Sequence, residues 1–420
     1  MKSRLKAQYF WHAEFFPSHT ILLLLLALSL SLTSCAGKLV KETVAEPKAR
    51  HTEPAPTSIP TWLGNPSRDF YGTGPWSNLP LQIVWEFKTE WASGRFHKIP
   101  WAGSGWPGQP AIVNDRVYFG SNDARVYCLN SKDGSVIWSY KTGDAAKSSP
   151  AIAGDRLVIG NLDNHIYCLN TSDGSLVWKY ETGFETDSSP AIADGRVYIG
   201  GEDGFYYCLD LVDGALIFKQ PLAGSVEGGS TIVNGKIYVG TEAGDLYCLN
   251  LADGTVIWTT HMGADSNSTP AVANGFVYTA SEDGLVRAYK QENGDPVWTY
   301  KAEGGLNLKT KEKTGFWASP IVSRERVFIG SNNGYFYCLS AKDGQLVWSH
   351  LARAAIWGTS PVVDGRVIFG DKNGWVYALS AEDGKLISEI QIGENVDATP
   401  AIMNGQIYVG AFNGKFYRLK

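Results

Sequence analysis

From residue 110 onward, short apolar runs alternate with polar, glycine-bearing turns, and the whole pattern returns about every 40 residues. Runs such as Val117-Tyr118-Phe119 and Val197-Tyr198-Ile199 are apolar without interruption. That pattern belongs to strands covered on both faces, since a strand with one wet face alternates. Eight units open alike, for example on Ser149-Pro150-Ala151-Ile152, Thr269-Pro270-Ala271-Val272 and Thr399-Pro400-Ala401-Ile402. The pattern predicts an all-β protein, an eight-bladed β-propeller with four antiparallel strands per blade.

The turns carry the same message. Asp194-Gly195, Asn234-Gly235, Asn274-Gly275, Asp364-Gly365 and Asn404-Gly405 fall between the first two strands of their units. Such pairs suit type I′ hairpins, whose central residues both take positive φ. The next turn offers Gly204, Gly244, Gly284, Gly334, Gly374 and Gly414 at a left-handed position, with Ala124 and Asn164 in the first two units. A third turn is Asp-Gly again, as at Asp133-Gly134 and Asp173-Gly174. Outer strands place an aromatic at one position: Trp138, Trp178, Phe218, Trp258, Trp298 and Trp348. These rings are expected to pack between neighbouring blades.

The eighth unit has only three strands before Lys420. Residues 81–88 show the outer-strand pattern, with Trp85 at the aromatic place. This N-terminal strand is expected to complete the last blade, closing the ring and removing an exposed sheet edge.

The recurring Tyr-Cys/Ala-Leu-Asn…Asp-Gly…Trp pattern resembles the repeat of the PQQ-binding-like eight-bladed propellers, over residues 60–420. That family holds both quinoprotein alcohol dehydrogenases and outer-membrane assembly lipoproteins. The resemblance implies the fold; it leaves the role open, because one scaffold hosts several. For a dehydrogenase it implies two neighbouring cysteines, a calcium held by Glu and Asn, an Asp base and extra loops over the PQQ cofactor. The chain has no Cys-Cys pair and little length for such loops. No catalytic residue, PQQ or calcium is therefore expected.

The N-terminus reads separately. Lys2, Arg4 and Lys6 precede an apolar run from Ile21 to Leu32, short for a membrane span and suited to a signal peptide. Leu32-Thr33-Ser34-Cys35-Ala36 follows and resembles the bacterial lipobox, which implies a signal peptide over 1–34 and a lipid on Cys35. The alternative is a plain secretory signal with an incidental Cys35. In lipoproteins like those of enteric bacteria, Ala36 implies sorting to the outer membrane. Residues 35–60 are rich in Lys, Glu, Pro, Ala and Thr and read as a flexible tether, leaving 61–420 for the propeller.

Composition narrows the function. A net charge of −5 without a basic stripe argues against nucleic acid. Cys128, Cys168, Cys208, Cys248 and Cys338 share one place in successive third strands, where Ala288 and Ala378 also occur. The place wants a small buried side chain, and neighbouring blades stand too far apart there for a disulfide. No Cys-x-x-Cys, metal-spaced His pair or Gly-x-Ser-x-Gly is present.

What remains is the channel mouth. Two connections are long, Thr89 to Gly108 (with Trp91, Arg95, Phe96, His97, Trp101 and Trp106) and Ala302 to Trp317 (with Lys309, Lys311 and Lys313). Three or four residues before each unit's Pro, Lys147, Asp187, Glu227, Asn267 and Asp397 give a polar arc, while Trp106, Trp317 and Trp357 give an aromatic one. Such a face suits a sugar, a peptide or an extended strand of a partner. Alternatively the Trp fold inward and fill the channel. A metal held by Asp187, Glu227 and Asn267 is a further arrangement the spacing allows. The leading expectation is a monomeric, non-catalytic envelope lipoprotein that binds envelope or outer-membrane proteins. A sugar- or small-ligand-binding propeller comes second and a PQQ-dependent oxidoreductase third.

Overall fold

The computed structural model describes residues 58–77, 80–90, 108–302 and 315–420. The expected signal peptide, Cys35 and nearly all of the tether lie outside these residues, as do most of the two long mouth connections.

Eight four-stranded antiparallel sheets make up the fold. Seven use consecutive strands; the eighth joins Ile83–Lys88 to Lys415–Leu419, followed by Gln406–Ala411 and Ala401–Met403. The closing strand pairs Trp85 with Arg418 and Phe87 with Phe416. Beyond it, Gln82 and Lys420 exchange two backbone hydrogen bonds of 3.1 Å. The ring is therefore sealed by the expected segment, and the blade count is eight.

Second and third strands are buried along nearly their whole length, as Arg196–Gly200 and Phe205–Asp210 illustrate. Their side chains meet those of the next blade: Phe119 stacks on Phe416 at 4.2 Å and Phe336 on Phe369 at 4.8 Å. The first hairpins take the expected turn, with φ of 51° at Asp194 and 72° at Gly195. Ala124 and Asn164 adopt the left-handed conformation that glycine supplies in later units, at φ of 62° and 64°.

The outer aromatics act as staples between blades. Trp138 donates its indole N–H to Thr171 O of blade two at 3.0 Å, and Trp178 to Leu211 O of blade three at 3.0 Å. Trp85, Trp258, Trp298 and Trp348 repeat the contact. Each ring lies on the glycine of the next blade's third turn, which follows Asp in all but the Asn293-Gly294 turn under Trp258. At Gly174, with φ of +76°, a Cβ would come within 2.6 Å of the Trp138 ring, so glycine is needed there twice over. Blade seven carries Ser388 instead, and blade eight has no such turn for a ring to cover. Ser388 Oγ accepts the Leu81 N–H at 2.8 Å, so the incoming chain fills the place.

Residues 58–77 form a feature that the repeat did not foretell. They strap across the channel at the end away from the mouth. Ile59 exchanges two hydrogen bonds with Ile112, Pro60 accepts from Ile152 and Pro66 from Ile232. Further on, Tyr71 donates to Val322 O, Trp76 to Val363 O, and Thr73 pairs with Ile402 and Gly405. Arg68, only 2% exposed, donates to the carbonyls of Trp62, Pro190 and Ser230 and to Thr61 Oγ1. Burial brings its guanidinium down to about 10. The expected boundary at residue 60 thus moves back: Ile59 is 1% exposed and already part of the fold.

Candidate functional site

The mouth residues are set by a belt of hydroxyls. In most units a Ser or Thr precedes the Pro, and it accepts the N–H of the equivalent residue one blade back. Gln109 donates to Ser149, Ser149 to Ser189, Thr269 to Ser319, Ser319 to Thr359 and Thr359 to Thr399, at 2.8–3.3 Å. Gln109, which lacks a hydroxyl, closes the belt by donating Nε2–H to Pro400 O at 2.7 Å, while its Oε1 accepts from Leu63 in the strap at 2.6 Å. Blade four has Gly229 at this place, so the belt is open there. Lys147, Asp187, Glu227, Asn267, Trp317 and Trp357 each stand two residues before the belt position of their unit.

Lys147, Asp187, Glu227, Asn267, Trp317 and Trp357 line one cavity of about 90 Å³, with Trp62 of the strap among its walls. Two of the eight expected mouth residues are not in it. Trp106 lies outside the described residues. Asp397 does not line the cavity and is 2% exposed, enclosed in the ring wall instead.

The polar arc is unevenly charged. Lys147 Nζ lies 3.6 Å from Asp187 Oδ2, and both side chains are about nine-tenths buried, at 11% and 9% exposure. A second rank of acids stands behind, from the turns joining strands two and three. Glu202 and Glu242 are held there by backbone bonds to Glu185 O and Ser225 O. Glu202 stands in the field of Asp187, and Glu227 in that of Glu242. Burial first, and then the neighbouring carboxylates Asp187 and Glu185, push Glu202 up to about 8. Burial, Asp187, Glu242 and Glu202 push Glu227 up to about 9. Burial likewise raises Asp187, against the pull of Lys147. Glu202 and Glu227 therefore hold their protons near neutrality.

Glu202 and Glu242 were missed from the sequence. The available signal was their place, two residues before Gly204 and Gly244, where other units carry Leu162, Lys372 or Phe412.

The aromatic arc is packed. Trp317 stacks on Trp357 at 4.3 Å, and Lys372 Nζ lies 3.3 Å from the centroid of the Trp357 ring. A ring and a cation at those distances cannot share a face, so both faces of Trp357 are covered. The arc is thus partly filled from within, and Trp357 is no open platform for stacking a sugar.

Among the described residues, no group of three His, Cys, Asp or Glu side chains is arranged to hold a metal ion. A quinone cofactor does not fit them either. The cavity is well below the ~300–1,000 Å³ of pockets for drug-sized ligands, and Trp62 stands in its wall. The five described cysteines are buried and unpaired, and burial raises their thiols, to about 12 at Cys128, Cys168 and Cys338. Their role is packing.

A ring of eight four-stranded blades, closed by its N-terminal strand, defines an eight-bladed PQQ-like propeller. The family described as outer membrane protein assembly factor BamB matches residues 82–233, 207–314 and 301–419, and the chain belongs to it. No curated protein matches the chain. Among solved structures, BamB from Moraxella catarrhalis is similar at a TM-score of 0.64 and 18% identity, covering 81% of this chain and 98% of that one. A europium-containing methanol dehydrogenase is similar at 0.70 and 12%, covering 86% and 98%. A quinohemoprotein alcohol dehydrogenase from Comamonas testosteroni is similar at 0.72 and 14%, covering 88% and 81%. At these identities the likeness to solved structures shows the fold alone.

Proposed function

We propose that the protein is a lipid-anchored envelope protein that serves as a rigid interaction platform in outer-membrane protein assembly or a related envelope complex, without catalysis. The observation that carries this reading is the family match across residues 82–419. The described mouth supports it, because its cup is too small for a ring-fused cofactor. The N-terminal sequence supports the anchor: residues 1–34 serve as signal peptide, Cys35 takes the lipid, Ala36 sorts the protein to the outer membrane, and the following stretch tethers the ring. The binding face comprises Lys147, Asp187, Glu227, Asn267, Trp317 and Trp357.

Two measurements test the proposal. Metabolic labelling with a clickable fatty acid should mark the protein, and Cys35→Ala should abolish the mark. Crosslinking in intact envelopes followed by purification should recover one or more outer-membrane assembly proteins. A mature protein that carries no lipid and recovers no envelope protein would overturn the reading. Reduction of an artificial electron-acceptor dye by the purified protein, supplied with PQQ, calcium and an alcohol, would replace it with an oxidoreductase.

A further inference from the structure

The mouth cup contains polar atoms that nothing described in the protein satisfies. Asp187 Oδ1, Asn267 Oδ1 and Trp357 Nε1 are buried without hydrogen-bond partners, and their residues, from three different blades, line the same cavity. Buried polar atoms are almost always paired with protein, water or ligand. Two of these three are acceptors, so an occupant must bring donors. The Asp187 side chain is only 9% exposed, which makes it part of a built site rather than a solvated rim.

The charge around the cup points the same way. Asp187, Glu202, Glu227 and Glu242 crowd one sector, with Glu185 adding to the field on Glu202. The cation facing them is Lys147, and it is engaged with Asp187 Oδ2. Glu202 and Glu227 hold protons at neutral pH, because burial and the neighbouring carboxylates disfavour their charged forms. Across the cup, Lys372 already sits on Trp357, an ammonium of the chain itself placed on the aromatic arc.

We propose that the cup receives one cationic, hydrogen-bond-donating head group, a guanidinium or alkylammonium, presented by a basic side chain of a partner protein. Its donors meet Asp187 Oδ1 and Asn267 Oδ1. Its charge offsets Asp187 and Glu227. The volume suits it, since about 90 Å³ equals roughly three waters at ~30 Å³ each, the scale of one side-chain head. An anion is refused by the acids, and a sugar lacks an uncovered face of Trp357. The assignment to a partner's side chain rests on the platform reading; the preference for a cation does not.

The test is calorimetric titration of the purified full chain at low ionic strength with Ac-Ala-Arg-Ala-NH2, Ac-Ala-Lys-Ala-NH2, the citrulline analogue of the first, and methylguanidinium. At least one basic peptide should bind, with the citrulline peptide weaker by about tenfold or more. Repeating the titration in two buffers of different ionisation heat should show protons released on binding at pH 7, as Glu202 and Glu227 give theirs up. Glu227→Gln should reduce that release. Asp187→Asn should weaken binding by about tenfold or more, while Glu382→Gln on the opposite face should not. Failure of both basic peptides, equal binding of arginine and citrulline, or binding without proton release overturns the proposal. Methylguanidinium binding as tightly as the peptides overturns the partner's side chain as the source. If the peptides fail while crosslinking recovers an envelope protein, the cup assignment falls and the platform stands; the converse removes the platform and leaves the cup.

Discussion

The carboxyl pairs at the mouth make a definite statement about pH. Glu202 and Glu227 hold their protons to about 8 and 9 in the folded ring, whereas an unfolded chain releases them near the ordinary glutamate value. The folded state thus binds more protons than the unfolded one between about pH 4.5 and 9, and linkage makes stability fall as pH rises through that window. Thermal unfolding should show a midpoint that declines from pH 5.5 to pH 9. Glu227→Gln should flatten the decline, raising the midpoint at pH 9 and leaving it nearly unchanged at pH 5.5. Gln keeps a donor for Glu242 and sheds the charge, so a midpoint lowered at both pH values would contradict this account.

A graded prediction attaches to the staples. Trp138→Phe keeps the ring on Gly174 and removes the N–H to Thr171, which should cost about 1 kcal/mol in urea unfolding. Trp138→Ala also empties the space between two blades and should cost about 3–5 kcal/mol. Phe218 marks the natural limit of the series, because there the Leu251 carbonyl takes the Tyr198 hydroxyl instead of an indole.

At the scale of elements, what was legible follows from repetition. Repeated turn chemistry, one strand pattern and one aromatic place made the blades readable, and the Trp85 segment was recognisable as the eighth copy of the outer strand. Six of the eight expected mouth residues line one cavity, at positions that vary where the rest of the unit does not. Residues outside the repeat were unreadable by the same logic. The strap from 58 to 77 has no period, and its polar groups are satisfied by inner strands of seven blades rather than by neighbours in sequence. Asp397 sat at a repeat position, but its burial depends on packing that spacing does not encode. The Ser-Pro and Thr-Pro openings were visible as a motif, while the belt they build required the ring.

The strap yields its own prediction. Among the described residues Arg68 makes four hydrogen bonds, none of them to a carboxylate, so it holds the strap by satisfying buried carbonyls. Arg68→Ala leaves those carbonyls unpaired and should cost about 3 kcal/mol. Limited proteolysis of that variant should cut first within residues 58–77, and an initial cut inside a blade would count against the strap as the weak element.

For the whole molecule, the seam has a consequence in time. Ile83–Lys88 is made before its partner Lys415–Leu419, with seven blades and the rest of the eighth between them. A chain threaded across a membrane from its N-terminus therefore carries an unmated strand through nearly its entire passage. Individual leaves can form as they emerge, because each draws on neighbours in sequence. The circle cannot close until Lys415–Leu419 is free to pair, so arrival of that strand is the event that turns a row of leaves into a ring.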